Sequence, residues 1–235
     1  MPRPVAIFRH FATEGPDYLG DFLTQRQIPW QLIALDEGAA VPLHQVDYAG
    51  LVFMGGPMSV NDPLPWVDPV LQLIRQAVDR DIPVLGHCLG SQLMSRALGG
   101  VVSRNPLKEI GWGAVRVMEG AVARRWFGAV EDFEAFHWHG ETWSLPTDAA
   151  LIASSAVCAH QAFALGPHLG LQFHVEMTEP NIRRWCTDGR REIEASDSPA
   201  VQPVATILQQ MPARLPLLNA VADRLYAGWI QGLKE

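Results

Sequence analysis

One cysteine of this chain stands where a cysteine can act as a nucleophile. In Ile82-Pro83-Val84-Leu85-Gly86-His87-Cys88-Leu89-Gly90-Ser91-Gln92 an apolar run ends in Gly86, Cys88 follows, and Gly90 opens an amphipathic segment. The spacing G-x-C-x-G is the thiol counterpart of the G-x-S-x-G nucleophile elbow. A strand that turns sharply into a helix leaves no room for side chains beside the turn, so glycines flank it and the residue at the tip is pushed outward. A helix N-terminus behind a thiol favours the thiolate, which is the nucleophilic form. The same spacing also fits a small buried thiol, so the partners of Cys88 decide between the two.

A cysteine nucleophile needs a base, and the base needs an orienting group. Gly170-Leu171-Gln172-Phe173-His174-Val175-Glu176 supplies both. On a strand, residues i and i+2 point to one side, which puts His174 and Glu176 on a shared face. Glu176 can then accept from one imidazole nitrogen while the other faces the thiol. Taken alone, a His two residues from a Glu is an ordinary surface pair; an elbow cysteine in the same chain changes that balance. His137 and His139 are also two apart on a strand-like run, a spacing compatible with metal ligation, but the sequence offers no third ligand. No metal is expected.

These residues need a scaffold, and the chain supplies an α/β rhythm. Residues 5–8, 30–35, 51–54 and 82–87 read as strands. Residues 16–27 and 67–80 read as helices, the second with Val67, Val70, Leu71, Ile74, Ala77 and Val78 on one face. Gly55-Gly56-Pro57-Met58-Ser59 is a loop by composition. The alternation predicts a doubly wound, mostly parallel sheet of flavodoxin-like type with flanking helices. Ligands of such sheets sit beyond the carboxyl ends of the strands, where Gly55-Gly56 and Cys88 both fall. From Gly111 the texture turns to short strand-like runs at 113–118, 134–138, 151–154, 161–165 and 170–175. A helix then starts at Thr178, and the charged pairs Arg183-Arg184 and Arg190-Arg191 read as a solvated face. Ser196-Asp197-Ser198-Pro199 reads as a linker. Residues 213–233 form a last helix with Leu217, Leu218, Val221, Leu225 and Trp229 as an apolar stripe. That divides the chain into a domain at 1–190 and a C-terminal helical extension at 191–235, which packs on the same domain or forms a dimer or partner contact.

Composition narrows the function further. Of 235 residues, 48% are hydrophobic, enough for a sizeable core. With 18 Lys and Arg against 25 Asp and Glu, the net charge of −7 gives no basic surface for nucleic acid or an anionic membrane. Three unpaired cysteines, Cys88, Cys158 and Cys186, fit a reducing compartment. The N-terminus has no signal-like apolar stretch and no apolar run approaches a membrane span. The expectation is a cytoplasmic protein. Cys158, Cys186 and the eight tryptophans read as packing residues.

Three separated motifs now share a resemblance. Gly86-His87-Cys88-Leu89-Gly90-Ser91-Gln92 is similar to the G-x-C-x-G-x-Q signature of class I (triad-type) glutamine amidotransferases, Gln172-Phe173-His174-Val175-Glu176 to their Q-F-H-x-E, and Gly55-Gly56-Pro57-Met58-Ser59 to their G-G-P-x-S. Asn61-Asp62, Pro65-Trp66 and His137-Trp138-His139-Gly140 resemble the stand-alone group related to the amidotransferase domain of GMP synthase. The resemblance spans residues 1–190 and leaves the last helix outside. It implies Cys88, His174 and Glu176 as catalytic residues acting on the side-chain amide of glutamine through a γ-glutamyl thioester. It also implies backbone N–H groups of Gly56 and Leu89 as oxyanion donors, and Gln92 with the 137–141 segment, His139 included, around the substrate. The chain departs from the pattern at Val175, where many members have Pro, and at His87, where many have Ile or Val; the His87 side chain is expected to point away from the thiol.

With no G-x-x-x-x-G-K-[ST] loop, no cofactor is expected and the ammonia acceptor must sit on another chain, a synthetase partner. Two further readings stay open. One is a hydrolase of γ-glutamyl peptides or amides with the same triad; the other is a catalytically silent regulatory or partner subunit.

Overall fold

Hydrophobic side chains at alternating positions of the first strand already divide the molecule into two layers. The computed structural model describes residues 2–234. In β1 (Val5–Arg9), Val5 and Ile7 join one apolar cluster while Ala6 and Phe8 join another, the period-two pattern of a strand buried on both faces. The sheet continues through β2 (Trp30–Ala34), β3 (Gly50–Phe53), β4 (Val84–His87), β5 (Val102–Val117), β6 (Asp132–Trp143), β7 (Ala150–Ser154), β8 (Ala162–Leu165) and β9 (His168–Leu171). Its spatial order is β2-β1-β3-β4-β9-β8-β7-β5-β6.

The strands β2, β1, β3, β4 and β9 pair in parallel, and β9, β8, β7, β5 and β6 pair antiparallel. The α/β class holds, but the sheet is mixed where the sequence suggests one mostly parallel. Short strands joined by short connections, as β7, β8 and β9 are, have no room for the crossover helix that parallel pairing needs. Helices α2 (Val67–Val78) and α3 (Leu89–Ala97) cover one face. The other carries α1 (Asp17–Gln25), α4 (Ala121–Phe127), α5 (Glu179–Asp188) and α7 (Val204–Trp229). The short α6 (Arg190–Glu194) links α5 to the chain ahead of α7. No helix among the described residues is long and apolar enough to cross a membrane.

The last helix is longer than its stripe suggests. The sequence reading starts this helix at 213, yet α7 begins at Val204 and carries Pro212 and Pro216 inside it. Both prolines face solvent, where water satisfies the carbonyls that lose their amide donors. Leu218, Val221, Leu225 and Trp229 are buried, with Ala222 and Tyr226 between them, whereas Leu217 is 70% exposed. Leu217 precedes the buried row by one residue, about 100° around the helix, and so falls on its wet flank. The segment read as a linker is tied down as well. Ser198 Oγ donates to Lys108 O at 2.6 Å, and residues around Val201 bridge to Ile110 of β5. The arginine pairs are solvated as expected, and Arg183, Arg184 and Arg190 form ion pairs with Glu179, Asp188 and Glu194 along α5 and α6.

The turn from β4 into α3 is closed by steric necessity. A Cβ on Gly86 would lie 2.5 Å from the Gly90 carbonyl carbon, and one on Gly90 would collide with Phe53 O in the neighbouring strand. Neither obstacle is a flexible side chain, so neither can yield cheaply. Gly90→Ala is therefore expected to cost about 3 kcal/mol, lowering the melting temperature by about 6–12 °C. Thermal unfolding followed by circular dichroism checks this; a shift within about 2 °C would mean that the turn is looser than its geometry.

Candidate active site

At the tip of that turn Cys88 adopts φ 48°, ψ −106°, a left-handed region that non-glycine residues avoid and that is held when surrounding structure over-determines it. Cys88 N–H donates to Leu171 O of β9 at 2.7 Å, and its own carbonyl accepts from Gln92 N–H at 3.1 Å, in the first turn of α3. The elbow is thus braced from the strand that leads to the histidine. Parallel pairing of β4 with β9 (His87 opposite Leu171) fixes where the chain beyond β9 emerges.

That chain carries Gln172, His174 and Glu176. The strand ends at Leu171, so the shared-face reasoning for His174 and Glu176 does not apply as framed. His174 is instead anchored by a single antiparallel bridge, its N–H donating to Phe136 O of β6 at 2.8 Å. The pair still forms: His174 Nδ1–H donates to Glu176 Oε1 at 2.6 Å, with both residues buried. Burial works against a charged imidazole. The Glu176 carboxylate and the adjacent Cys88 side chain outweigh it and hold His174 well above the usual imidazole range. Burial likewise favours a neutral Glu176, but the His174 and His87 rings keep its carboxyl below the usual range. His174 Nε2 is buried without a conventional hydrogen-bond partner. The Trp185 ring of α5 stands edge-on to His174 at 4.9 Å and 89°, fixing the plane of the imidazole.

Around the sulfur the polar groups converge. Gln172 Nε2 donates to Cys88 Sγ at 3.6 Å and Gln172 Oε1 accepts from Gln92 Nε2 at 3.3 Å. Trp138 O lies 3.8 Å from the sulfur. Gly56 and Leu89 are neighbours, since a Cβ on Gly56 would lie 2.8 Å from Leu89 Cδ2. Cys88, Gly56, Gln92, His139, Gly140 and Glu141 all line one cavity of about 770 Å³. The imidazole of His139 turns away from it, Nδ1–H donating to Glu141 O at 3.0 Å while Nε2 lies 3.0 Å from Glu109 Oε2. Of the 137–141 segment, Trp138, His139, Gly140 and Glu141 border the cavity.

Glu109, His139 and Cys158 bring ligand-type atoms within 4.8 Å of one another, a group of three that leaves out His137. Glu109 already has other partners. Gln161 Nε2 donates to its Oε2 at 2.9 Å and Ser155 Oγ to its Oε1 at 3.4 Å. Burial acts to raise its carboxyl pKa, but the His139 contact and the neighbouring imidazoles outweigh it and hold the group low. The cluster is accounted for as a hydrogen-bonded support beneath the β5–β6 hairpin.

His87 points away from the sulfur, but toward the back of the acid. Its Nε2 lies 3.7 Å from Glu176 Oε2 and 3.0 Å from the hydroxyl of Tyr226 on α7. Gln172, Trp185, Tyr226 and Glu14, which also lines the cavity, are absent from the sequence-derived set of site residues. Of these, only Gln172 carried a signal, as the first residue of Q-F-H-x-E.

A buried imidazole whose proton affinity is raised, beside an elbow thiol, can accept the thiol proton and return it to a leaving group. The family model for glutamine amidotransferase class-I matches residues 21–183. A glutamine amidotransferase-like protein of Salmonella typhimurium, YfeJ, is 32% identical over 165 residues, covering 66% of this chain and 68% of its own. GMP synthase of Aliivibrio salmonicida is 31% identical over 132 residues, 55% of this chain but only 24% of that longer protein. Among solved structures, a glutamine amidotransferase of Methylobacillus flagellatus superposes with a TM-score of 0.98 at 41% identity, covering 100% of this chain and 97% of the other. One from Thermotoga maritima reaches 0.88 at 25% identity over 98% and 99%. The latter matches extend through the C-terminal helix, so the fold and the elbow chemistry lead to the same assignment: this chain belongs to the class I glutamine amidotransferase family, a family of amide hydrolases and transferases.

Proposed function

We propose that the protein hydrolyses the side-chain amide of glutamine with Cys88 as nucleophile, His174 as general base and acid, and Glu176 as the group that orients His174. The thiol proton passes to His174 as the sulfur bonds to the amide carbon. The tetrahedral oxyanion is met by backbone N–H groups of Gly56 and Leu89, the latter at the start of α3, where unpaired amide donors and the helix dipole favour negative charge. Collapse breaks the carbon–nitrogen bond, His174 protonates the departing ammonia, and water then hydrolyses the thioester to glutamate. Gln92 and the 137–141 segment hold the amino-acid end. The ammonia passes to an acceptor on a synthetase chain, a reading supported by the likeness to GMP synthases.

One observation carries this reading: an elbow thiol lines the cavity, and adjacent to it a buried His–Glu pair holds an imidazole of raised proton affinity. A glutamine-like chloroketone should alkylate Cys88 stoichiometrically, and excess glutamine should protect it, as followed by peptide mass mapping. Alkylation elsewhere, or at Cys88 without protection by glutamine, would count against the proposal. The cavity of about 770 Å³ is larger than a glutamine side chain needs, and this favours a second reading, hydrolysis of γ-glutamyl amides with a larger leaving amine. A silent subunit is disfavoured because the sulfur, imidazole and carboxylate are all present and share one site.

A further inference from the structure

The loop between β1 and α1 brings a carboxylate to the site that no motif announces. The loop is pinned by three bonds: Trp185 Nε1 donates to Thr13 O at 2.9 Å, Glu14 N–H to Phe11 O at 2.9 Å, and Tyr18 N–H to Glu176 O at 2.9 Å. Glu14 lies against Gly55, where a Cβ would collide with its Oε2 and would stand 3.1 Å from His174 Cε1. A side chain at position 55 would separate the carboxylate from the imidazole; glycine lets them adjoin. Glu14 also lines the cavity that holds Cys88.

The reaction proposed above gives this position a meaning. His174 hands its proton to the departing nitrogen, so whatever is bonded to that nitrogen extends past the imidazole, on the side of Glu14 and Trp185. The glutamyl portion lies toward Gln92 and the 137–141 segment. We propose that Glu14 is the leaving-group selector: its carboxylate admits amines that leave without a carboxylate of their own, ammonia and simple alkylamines, and excludes γ-glutamyl amino acids. Like charges brought together in a site partly shut from water repel strongly, and a fixed repulsive group is an economical way to reject a near-isostere. The charged groups facing Glu14 agree. Asp17 at the start of α1 and Glu176 are of the same sign, and the opposite charge acting on it among the described residues is His174, which already belongs to Glu176. Elsewhere the cavity is lined by Arg104 and Lys108 of β5, by Glu141 of β6, and by Asp188 and Glu192 of α5 and α6; Lys108 is engaged by Glu192 at 2.6 Å.

Burial, with the charges of Asp17 and Glu176, raises the Glu14 carboxyl to about 7 against the pull of His174. Selection should therefore strengthen as pH rises through neutrality and fade below it.

The test compares γ-glutamylisobutylamide with γ-glutamylglycine, of nearly the same shape but with a carboxylate in place of a branched methyl pair, using glutamine as reference. In wild type at pH 8 the ratio of kcat/KM should favour the neutral amide by about 100-fold, and the ratio should shrink by about tenfold at pH 6. In Glu14→Gln the ratio at pH 8 should fall at least about tenfold and lose its pH dependence. Glu14→Asp, which keeps the charge, should retain most of the selectivity. This inference rests on the proposed amide hydrolysis, and the two fail differently. Turnover with a ratio unchanged in Glu14→Gln overturns the selector alone; wild type inactive on all three compounds and unlabelled by the chloroketone overturns both.

Discussion

Cys88→Ala and His174→Ala should each lower glutamine turnover by about 10⁵- to 10⁶-fold, and the double variant should be no slower than either single one. Groups that act as one unit lose nearly the whole of their effect when any member goes. Here the unit is defined by geometry. The sulfur sits at the tip of a turn held by Leu171 O, and the imidazole it needs is fixed by Phe136 O, Glu176 and the Trp185 ring. With no imidazole to accept the proton, a thiol buried to 5% exposure is left with Trp138 O and the Gln172 amide as its hydrogen-bond contacts, neither of them a base. With no sulfur, His174 has nothing to activate but water. Steady-state ammonia release from the four proteins, each checked for an unchanged melting profile, makes the comparison. Losses that multiply in the double variant would mean that Cys88 and His174 act in separate steps, and the proposed mechanism would go with them.

Parts of this site could be read from sequence because local sterics write them there. Gly86 and Gly90 are demanded by atoms a few residues away or in the adjacent strand, so the elbow leaves a short, dense signature. The same holds for the apolar face of α2. His174 and Glu176 were legible by spacing, although β9 stops before them and the bond forms in an irregular segment. Glu14, Trp185 and Tyr226 are different. Their nearness to the site depends on the placement of β9 beside β4, and on α5 and α7 covering the face opposite α3. No local pattern encodes that placement. The length of α7 was hidden for another reason. Proline is read as a helix boundary because it lacks an amide donor, but a proline whose freed carbonyl faces water, as at positions 212 and 216, stops nothing. The mixed sheet was hidden by length: a four-residue apolar run does not tell whether its neighbour will run with it or against it.

Glu176→Gln should reduce kcat by about 10⁴-fold with little change in KM, the size of effect seen when the orienting acid of a triad becomes an amide. The carboxylate does two things that the amide does not. It accepts the Nδ1–H bond at 2.6 Å, which sets the imidazole tautomer, and it supplies charge that helps outweigh burial and raises the proton affinity of His174. Removing the charge leaves burial dominant, so the His174 titration midpoint, followed by NMR of the labelled imidazole, should fall. KM should hold because Glu176 lies behind the imidazole, away from the cavity lining. The second carboxylate oxygen makes a sharper comparison available. Glu176 Oε2 has no hydrogen-bond partner of its own; His87 Nε2 lies 3.7 Å from it and also meets the Tyr226 hydroxyl at 3.0 Å. If Tyr226 steadies the acid through His87, Tyr226→Phe should cost about two- to tenfold in kcat, the worth of one net hydrogen bond, and move the His174 midpoint slightly in the same direction as Glu176→Gln. A melting temperature lowered by Tyr226→Phe without any change in kcat or midpoint would confine that tyrosine to packing α7 against the sheet. An unshifted His174 midpoint in Glu176→Gln would remove the electrostatic half of the acid's role and leave it only the task of aiming the ring.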